Sequence, residues 1–438
     1  MRLAGWVFER DRDAPVRLRF QAHLAAALLL AALVAAGSSA VLWWALGQPR
    51  LSPQTPEPLT PSNLYNGIKI ALAVVAGIGG LVALVVAYRK QQFAEQEHQR
   101  EDTRLLTERF GKASEQLGSD KAAVRLAGVY AMASLADDWP EGRQMCIDVL
   151  CAYLRMPYTP PVDGEAADGP VEVDEETQQA RLEERQVRHT IIRVITAHLR
   201  AGAPVSWQGY DFDFTGAVFD GGDFSHAVFS GGQVNFSGAK FSGGVVNFIG
   251  AKFSDGLVDF GSATFSGGVV NFSGAKFSGG VVNFFEAKFS DGQVNFSGAT
   301  FSGSQIVLLD AKFSNGAVLF SDTTFSGSQV DFLNATFSGG EIDFSDAKFS
   351  GGEIDFFEAT FSGGQVDFSS SVFSGSQVDF RHARFSGGRV DLRHAKFSGA
   401  PPVFDSWTDG PPDGLLFPPA YAAEDDGGSA GDADDQSK

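Results

Sequence analysis

From Phe214 to Phe404 phenylalanine recurs on a fixed beat, and that beat leaves the chain few ways to fold. Phe214, Phe219, Phe224 and Phe229 stand five apart. From there the steps alternate seven and five, through Phe236, Phe241, Phe248, Phe253, Phe260, Phe265, Phe272 and Phe277 and onward. Only Leu308 and Leu392 replace Phe, so the unit is twelve residues, of the form F-S-G-A-K-F-S-G-G-V-V-N. A unit this short cannot bury its apolar side chains alone. It buries them against its neighbours, which makes a solenoid. The same bias shows in the composition, with 39 Phe and 51 Gly among 438 residues.

Each position in the unit has a physical role. Two residues before each Phe comes a smaller apolar residue: Ala239, Val246, Ala251, Val258, Ala263, Val270. Inward pointing at i−2 and i is the period-two rule of a strand. Ser follows the second Phe in all fourteen copies from Ser242 to Ser398. Next comes Gly, Asp or Asn (Gly243, Asp255, Asn315), residues that tolerate positive φ. The chain is therefore expected to turn a corner after each Phe, with the seven-residue step holding a two-residue bulge. The phenyl groups should stack coil on coil in a continuous inner column, and Phe236 to Phe277 are its first members.

The run DFTGA-VFDGG-DFSHA-VFSGG resembles the pentapeptide-repeat family, whose units read A-[DN]-[LF]-x-x. The resemblance covers Phe214 to Phe404 and implies an all-β right-handed solenoid, a four-sided β-helix of about twenty residues per coil. Two extra residues in every second unit raise the coil to twenty-four, and a flatter cross-section is the alternative. About eight coils at about 4.8 Å each give a rod about 38 Å long. The solenoid is placed at residues 204–404. A fourth helix and Trp207 are expected to cover its first coil, and Pro401, Pro402 and Trp407 to end its last. Residues 405–438 are acidic and rich in Gly, and read as a disordered tail.

The other half of the chain reads as a membrane hairpin and a helical bundle. Residues 24–47 run without a charge, long enough to cross a hydrocarbon core of about 30 Å. Residues 67–88 hold one charge, Lys69, near an end. Arg2, Arg10, Arg12, Arg17 and Arg19 precede the first run, and Arg89 and Lys90 follow the second. The Pro-rich loop between holds only Arg50, so both termini are expected in the cytoplasm of a plasma-membrane protein. The expected order is a cytoplasmic segment 1–22, a span 23–47, an extracytoplasmic loop 48–66, a span 67–88 and a cytoplasmic helical region 89–203. The whole reads as a multidomain membrane protein.

Leu106, Phe110, Ala113 and Leu117 make one apolar stripe, suited either to a coiled coil with a second copy or to packing on its own neighbours. A second helix, with Ser119 and Asp120 as caps, is expected to bury Leu126, Val129, Tyr130 and Ala133. A third buries Cys146, Val149, Leu150, Tyr153 and Leu154. An acidic linker spans 160–175, and a fourth helix buries Val187, Ile191, Val194 and Ile195. The segment is similar to the helical stretch between membrane spans and repeats in bacterial membrane-anchored pentapeptide-repeat proteins.

No catalytic constellation stands out, so no enzyme, cofactor or metal is expected. The serines recur fourteen times, whereas a nucleophile is unique. His382 and His394 repeat with the unit rather than converge on a metal. Cys146 and Cys151 read as buried hydrophobes. The net charge of −19 argues against direct contact with nucleic acid.

What remains is an ordered surface. One outward column runs Lys240, Lys252, Thr264, Lys276, Lys288, Thr300, Lys312. Another begins Asn247, Asp259, Asn271, Asn283, Asn295 and ends Asp331, Asp343, Asp355, Asp367, Asp379, Asp391. The six aspartates read either as a solvated surface or as an acidic docking face for a protein. The expected function is a membrane-tethered scaffold that binds an unidentified protein partner. The alternative, drawn from the resemblance, is an acidic DNA mimic that regulates a topoisomerase.

Overall fold

The computed structural model describes residues 61–162, 174–405 and 411–417, with positions 36, 37, 40 and 44. The chain divides into two compact units, residues 1–94 and 95–438. The expected first span, 23–47, and most of the loop 48–66 lie outside the described residues. Helix α1, Pro61–Leu117, is continuous and contains the expected second span. Along it Ile68, Ile70, Leu72, Val82, Leu84 and Val86 are all more than half exposed. Among the described residues no helix is long and apolar enough to cross a membrane.

In the second unit the end of α1 packs with α2 (Ala122–Asp138), α3 (Arg143–Arg155) and α4 (Glu175–Leu199). Ala113 and Leu117 are buried, with Leu106 and Phe110 packed against the same core, so the α1 stripe is used within the chain. Tyr130 departs from expectation. It is 54% exposed, and α2 buries Met132, Leu135 and Ala136 instead. Gly128 lies at one edge of that buried face, where a Cβ would meet Leu117 N at 2.7 Å, so the close approach of α1 and α2 needs a glycine there. Lys121, not Ser119 or Asp120, stands at the N-cap of α2, and no side chain caps it. Asp174 caps α4, accepting from Thr177 N at 2.8 Å, which is the favoured N-cap arrangement. Burial pushes the Cys146 thiol up to about 11, as for an inert structural cysteine.

The solenoid consists of two parallel sheets, of 14 and 13 strands among the described residues. Partners lie twenty-four residues apart, as in Phe253↔Phe277 and Val258↔Val282. The first coil is two residues shorter, pairing Phe219 with Phe241, because its bulge is missing. Each half-coil lays down one strand run, such as Lys240–Asn247 on one sheet and Thr324–Asp331 on the other. The two halves join at β-turns. In one of these Ala239 N donates to Phe236 O at 2.9 Å, with Gly238 at φ 63°. The cross-section is thus two sheets, each folded at its S-G-G step and joined at two tight corners.

The single inner column becomes four. Phe236 stacks on Phe260 at 4.8 Å, Phe241 on Phe265 at 4.9 Å, Phe248 on Phe272 at 4.7 Å and Phe253 on Phe277 at 4.9 Å. Interplanar angles in these pairs are 9° or less. Coil spacing sets this geometry. Strands repeat at about 4.8 Å, so identical rings superpose face to face with a small offset.

Both ends of the stack are covered. At the first coil Thr196 of α4 donates to Asp223 O at 2.8 Å, and buried Arg188 donates to Val218 O at 3.2 Å. Trp207 is fully buried, stacks on His198 at 4.1 Å and donates to Asp137 at 3.1 Å. At the last coil the expected tail is partly ordered, a correction to the sequence reading. Leu415–Leu416 forms a strand that pairs Leu415 with Val390, and Leu415 is 5% exposed. Phe417 packs edge-on against Phe404. Leu415 and Phe417 thus cover part of the open edge of the last coil. Trp407 and residues 418–438 lie outside the described residues.

Candidate protein-binding surface

Because a coil is two units long, the aspartates expected on one face divide into two columns. Asp331, Asp355 and Asp379 align on one sheet. Asp343, Asp367 and Asp391 align on the other. Each sits at the end of its strand, where the chain enters a corner. There each carboxylate accepts the backbone N–H two residues on: Leu333 N to Asp331 at 2.9 Å, Ser345 N to Asp343 at 2.7 Å, Phe357 N to Asp355 at 2.7 Å. Asn235, Asn271, Asn283 and Asn295 hold the same turn in earlier coils. Their residue type thus follows first from the turn, since short polar side chains satisfy the corner's backbone donor. Asn283 also donates to Asp259 of the coil before it at 2.8 Å.

The charge that remains is unevenly distributed. Asp379 is held by Arg381, whose Nε lies 3.0 Å from both carboxylate oxygens. Burial alone would raise Asp379, but the Arg381 bonds outweigh it and lower the carboxyl. Asp391 is gripped by Arg393 and Arg389 and held far below the usual carboxylate range. Asp355 has no such cation. Burial first, then the neighbouring Asp331, Asp379 and Glu353, push it up. The stretch 317–368 holds nine acidic residues and one basic residue, Lys348. It forms an acidic belt two coils deep, ahead of an arginine-neutralised terminal coil.

The lysine column splits in the same way. Lys288 and Lys312 pair on one sheet, and Lys252 and Lys276 on the other. Among the described residues no cluster of three metal-ligating side chains forms. His382 lies edge-on to Phe357 at 4.9 Å, and its backbone N–H donates to Asp405.

Two features escaped the twelve-residue reading. The first is the alternation of faces. The residue three after the second Phe is always Gly on one sheet (Gly244, Gly268, Gly292, Gly316, Gly340, Gly364, Gly388) but includes Ser304, Ser328 and Ser376 on the other. Positive φ falls at that position in four coils of the first sheet, Gly244, Gly268, Gly340 (φ 76°) and Gly364, and one residue earlier on the second, as at Asp255 (φ 56°). Reading every second copy exposes this. The second is a polar cluster under the cap. Asp220, 6% exposed, accepts from Tyr158 Oη at 2.7 Å and faces His189 at 3.2 Å and Arg185 at 3.4 Å. Nothing in the local sequence joins residues 158, 189 and 220.

A family model described as pentapeptide repeats matches residues 213–255, in eight copies. The C-terminal region is a β-solenoid that begins with pentapeptide repeats, and the match runs through its first two coils, across the seven-residue steps from Phe229 to Phe236 and from Phe241 to Phe248. No curated protein matches the chain. The solved structure of trypsin-treated QnrB1, a plasmid-mediated fluoroquinolone resistance protein, is similar at 16% identity. That likeness covers 46% of this chain and 86% of that one with a TM-score of 0.14, too low to carry an argument.

Proposed function

We propose that this chain is a membrane-tethered cytoplasmic scaffold whose solenoid binds a protein partner and performs no catalysis. The observation that carries the reading is the acidic belt. A rigid phenyl stack holds nine carboxylates against one lysine within two coils. Like charges about 5 Å apart are costly unless something opposes them. Arg381, Arg389 and Arg393 do so in the last coil, and a basic protein surface would do so in the belt. The tether rests on the uncharged run 24–47, on the exposed apolar side chains along 67–88 and on the arginines outside both runs.

The test uses the full chain. It is expected in the membrane fraction and to resist carbonate extraction, and deletion of 24–88 should release it. Asn occupies the belt's turn position in other coils, so a variant with Asp331, Asp343, Asp355 and Asp367 changed to Asn should fold. Proteins that copurify with the wild type should be lost from that variant. Extraction by carbonate sinks the tether; unchanged copurification sinks the belt. Recovery of a type II topoisomerase with inhibited supercoiling would favour the DNA-mimic reading instead.

A further inference from the structure

The residue after the first Phe of each unit sits at a corner of the coil. At one corner it reads Ser225, Ile249, Ser273, Ser297, Ser321, Ser345, Ser369 and Arg393: serine in six coils of eight. The fold therefore accepts a small polar residue there. At the opposite corner four consecutive coils carry Phe285, Leu309, Leu333 and Phe357. The turns superpose, with Glu286 N donating to Leu309 O at 3.0 Å and Asp310 N to Leu333 O at 3.0 Å. All four side chains are only half-buried. At about 4.8 Å per coil they form an apolar ladder about 14 Å long. Serine at the opposite corner shows that the turn does not require an apolar side chain, and the ladder leaves a small apolar patch partly open to solvent.

Charge indicates which molecule. Beside the ladder run the outward carboxylates Glu286, Asp310 and Glu358; on its other flank lie Asp331 and Asp355. The lysines of that corner stop at Lys312 and give way to Thr336 and Thr360, so beside Leu333 and Phe357 lie Asp331 and Asp355 on one flank and Asn334 and Glu358 on the other, up to His382 and Arg384 in the next coil. A second copy of the chain would bring its own carboxylates against these, which repel. We propose that the ladder from Phe285 to Phe357 is a docking ridge for a cationic amphipathic helix, whose apolar stripe covers the ladder while lysines or arginines on either side meet the flanking carboxylates. This rests on the protein-binding reading of the solenoid and names the site and the chemistry of its occupant.

The test uses the full chain and a synthetic helical peptide with a leucine stripe flanked by lysines, carrying a photoreactive group. Adducts are mapped by mass spectrometry, which separates the ladder from α1. The expected result is labelling of the coils holding residues 309–358, reduced by salt. In the variant Phe285→Ser, Leu309→Ser, Leu333→Ser, Phe357→Ser the peptide concentration for half-maximal labelling should rise at least about tenfold, as for loss of central apolar anchors. Serine at the opposite corner leads us to expect that this variant keeps the fold, and unchanged circular dichroism checks it. Equal labelling of the variant overturns the proposal. So does equal labelling by a peptide with glutamates in place of lysines. A change in oligomeric state of the variant does so too, since a second copy would then be the occupant. If the variant still retrieves the protein that copurifies with the wild type, the ridge falls and the binding module stands. If the wild type retrieves none, the module reading falls separately.

Discussion

Phe260 and Phe284, twenty-four residues apart, stack with ring centroids 4.9 Å and planes 6° apart. Leu308 continues the same column, so the position accepts an aliphatic side chain of nearly equal volume. Phe284→Leu should cost about 1 kcal/mol, as for volume-conserving swaps. Phe284→Ala should cost about 3–5 kcal/mol, since the neighbouring coils hold the cavity open. Urea unfolding followed by far-ultraviolet circular dichroism checks both. A smaller loss for alanine than for leucine would sink the stacking account.

The two sheets should respond differently at the third residue after the second Phe. At Gly340, φ is 76° and an added Cβ would meet Gly316 O at 2.2 Å. Gly340→Ala should cost more than about 2 kcal/mol, from left-handed strain plus overpacking. Ser376 occupies the equivalent place on the other sheet and donates to Gly351 O at 3.1 Å. Ser376→Ala should cost about 1 kcal/mol, the net worth of one hydrogen bond. Hydrogen exchange at the adjoining coils measures each.

The belt and the terminal coil should show opposite acid responses. Asp391 is depressed by Arg393 and Arg389, so it adds stability that is present above the ordinary carboxylate pKa and is lost as pH falls through its folded value. Asp391→Asn should cost about 1–3 kcal/mol at pH 7 and nothing at strongly acid pH. Asp355 is raised, so its ionised form costs stability at pH 7, and the cost disappears as pH falls below its folded value. Asp355→Asn should stabilise by about 0.5–1 kcal/mol at pH 7, the range for opposed like charges. Parallel urea titrations at neutral and acid pH read the sign of each.

Asp220 ties the helical cap to the first coil. Burial alone would raise its carboxyl, but His189, Tyr158 and Arg185 outweigh this and hold it low. The stability it adds is therefore present above the ordinary carboxylate pKa and lost on acidification below it. Asp220→Ala leaves the part-buried Tyr158 hydroxyl without its carboxylate acceptor and removes a buried charge from beside His189 and Arg185, and should cost about 3 kcal/mol. Proteolysis between the cap and residue 240 should rise first, ahead of global unfolding. Simultaneous loss of the distal coils would contradict this.

Much of the molecule was legible because its signals are local. Val187, Ile191 and Ile195 announce the buried face of α4 by helical spacing, and all three are buried. Phe and Val two residues apart announce the strands, and the turn residues mark the corners. Tyr130 was misplaced because helical period alone does not say where on the circle a neighbour sits. The order at Leu415 was missed because an acidic, Gly-rich stretch hides two leucines whose partner, Val390, lies in another coil.

The sequence by itself determined the twelve-residue period and the inward side chains, since both follow from the alternation of a strand and from the recurrence of one unit. Only the tertiary structure decided which copies are neighbours. A coil of two units sends successive copies to opposite sheets, so six aspartates in line along the chain become two columns of three. For the same reason four apolar residues scattered among serines become one ridge. Repetition along the chain is a local property, whereas adjacency across coils is set by how many units close one turn.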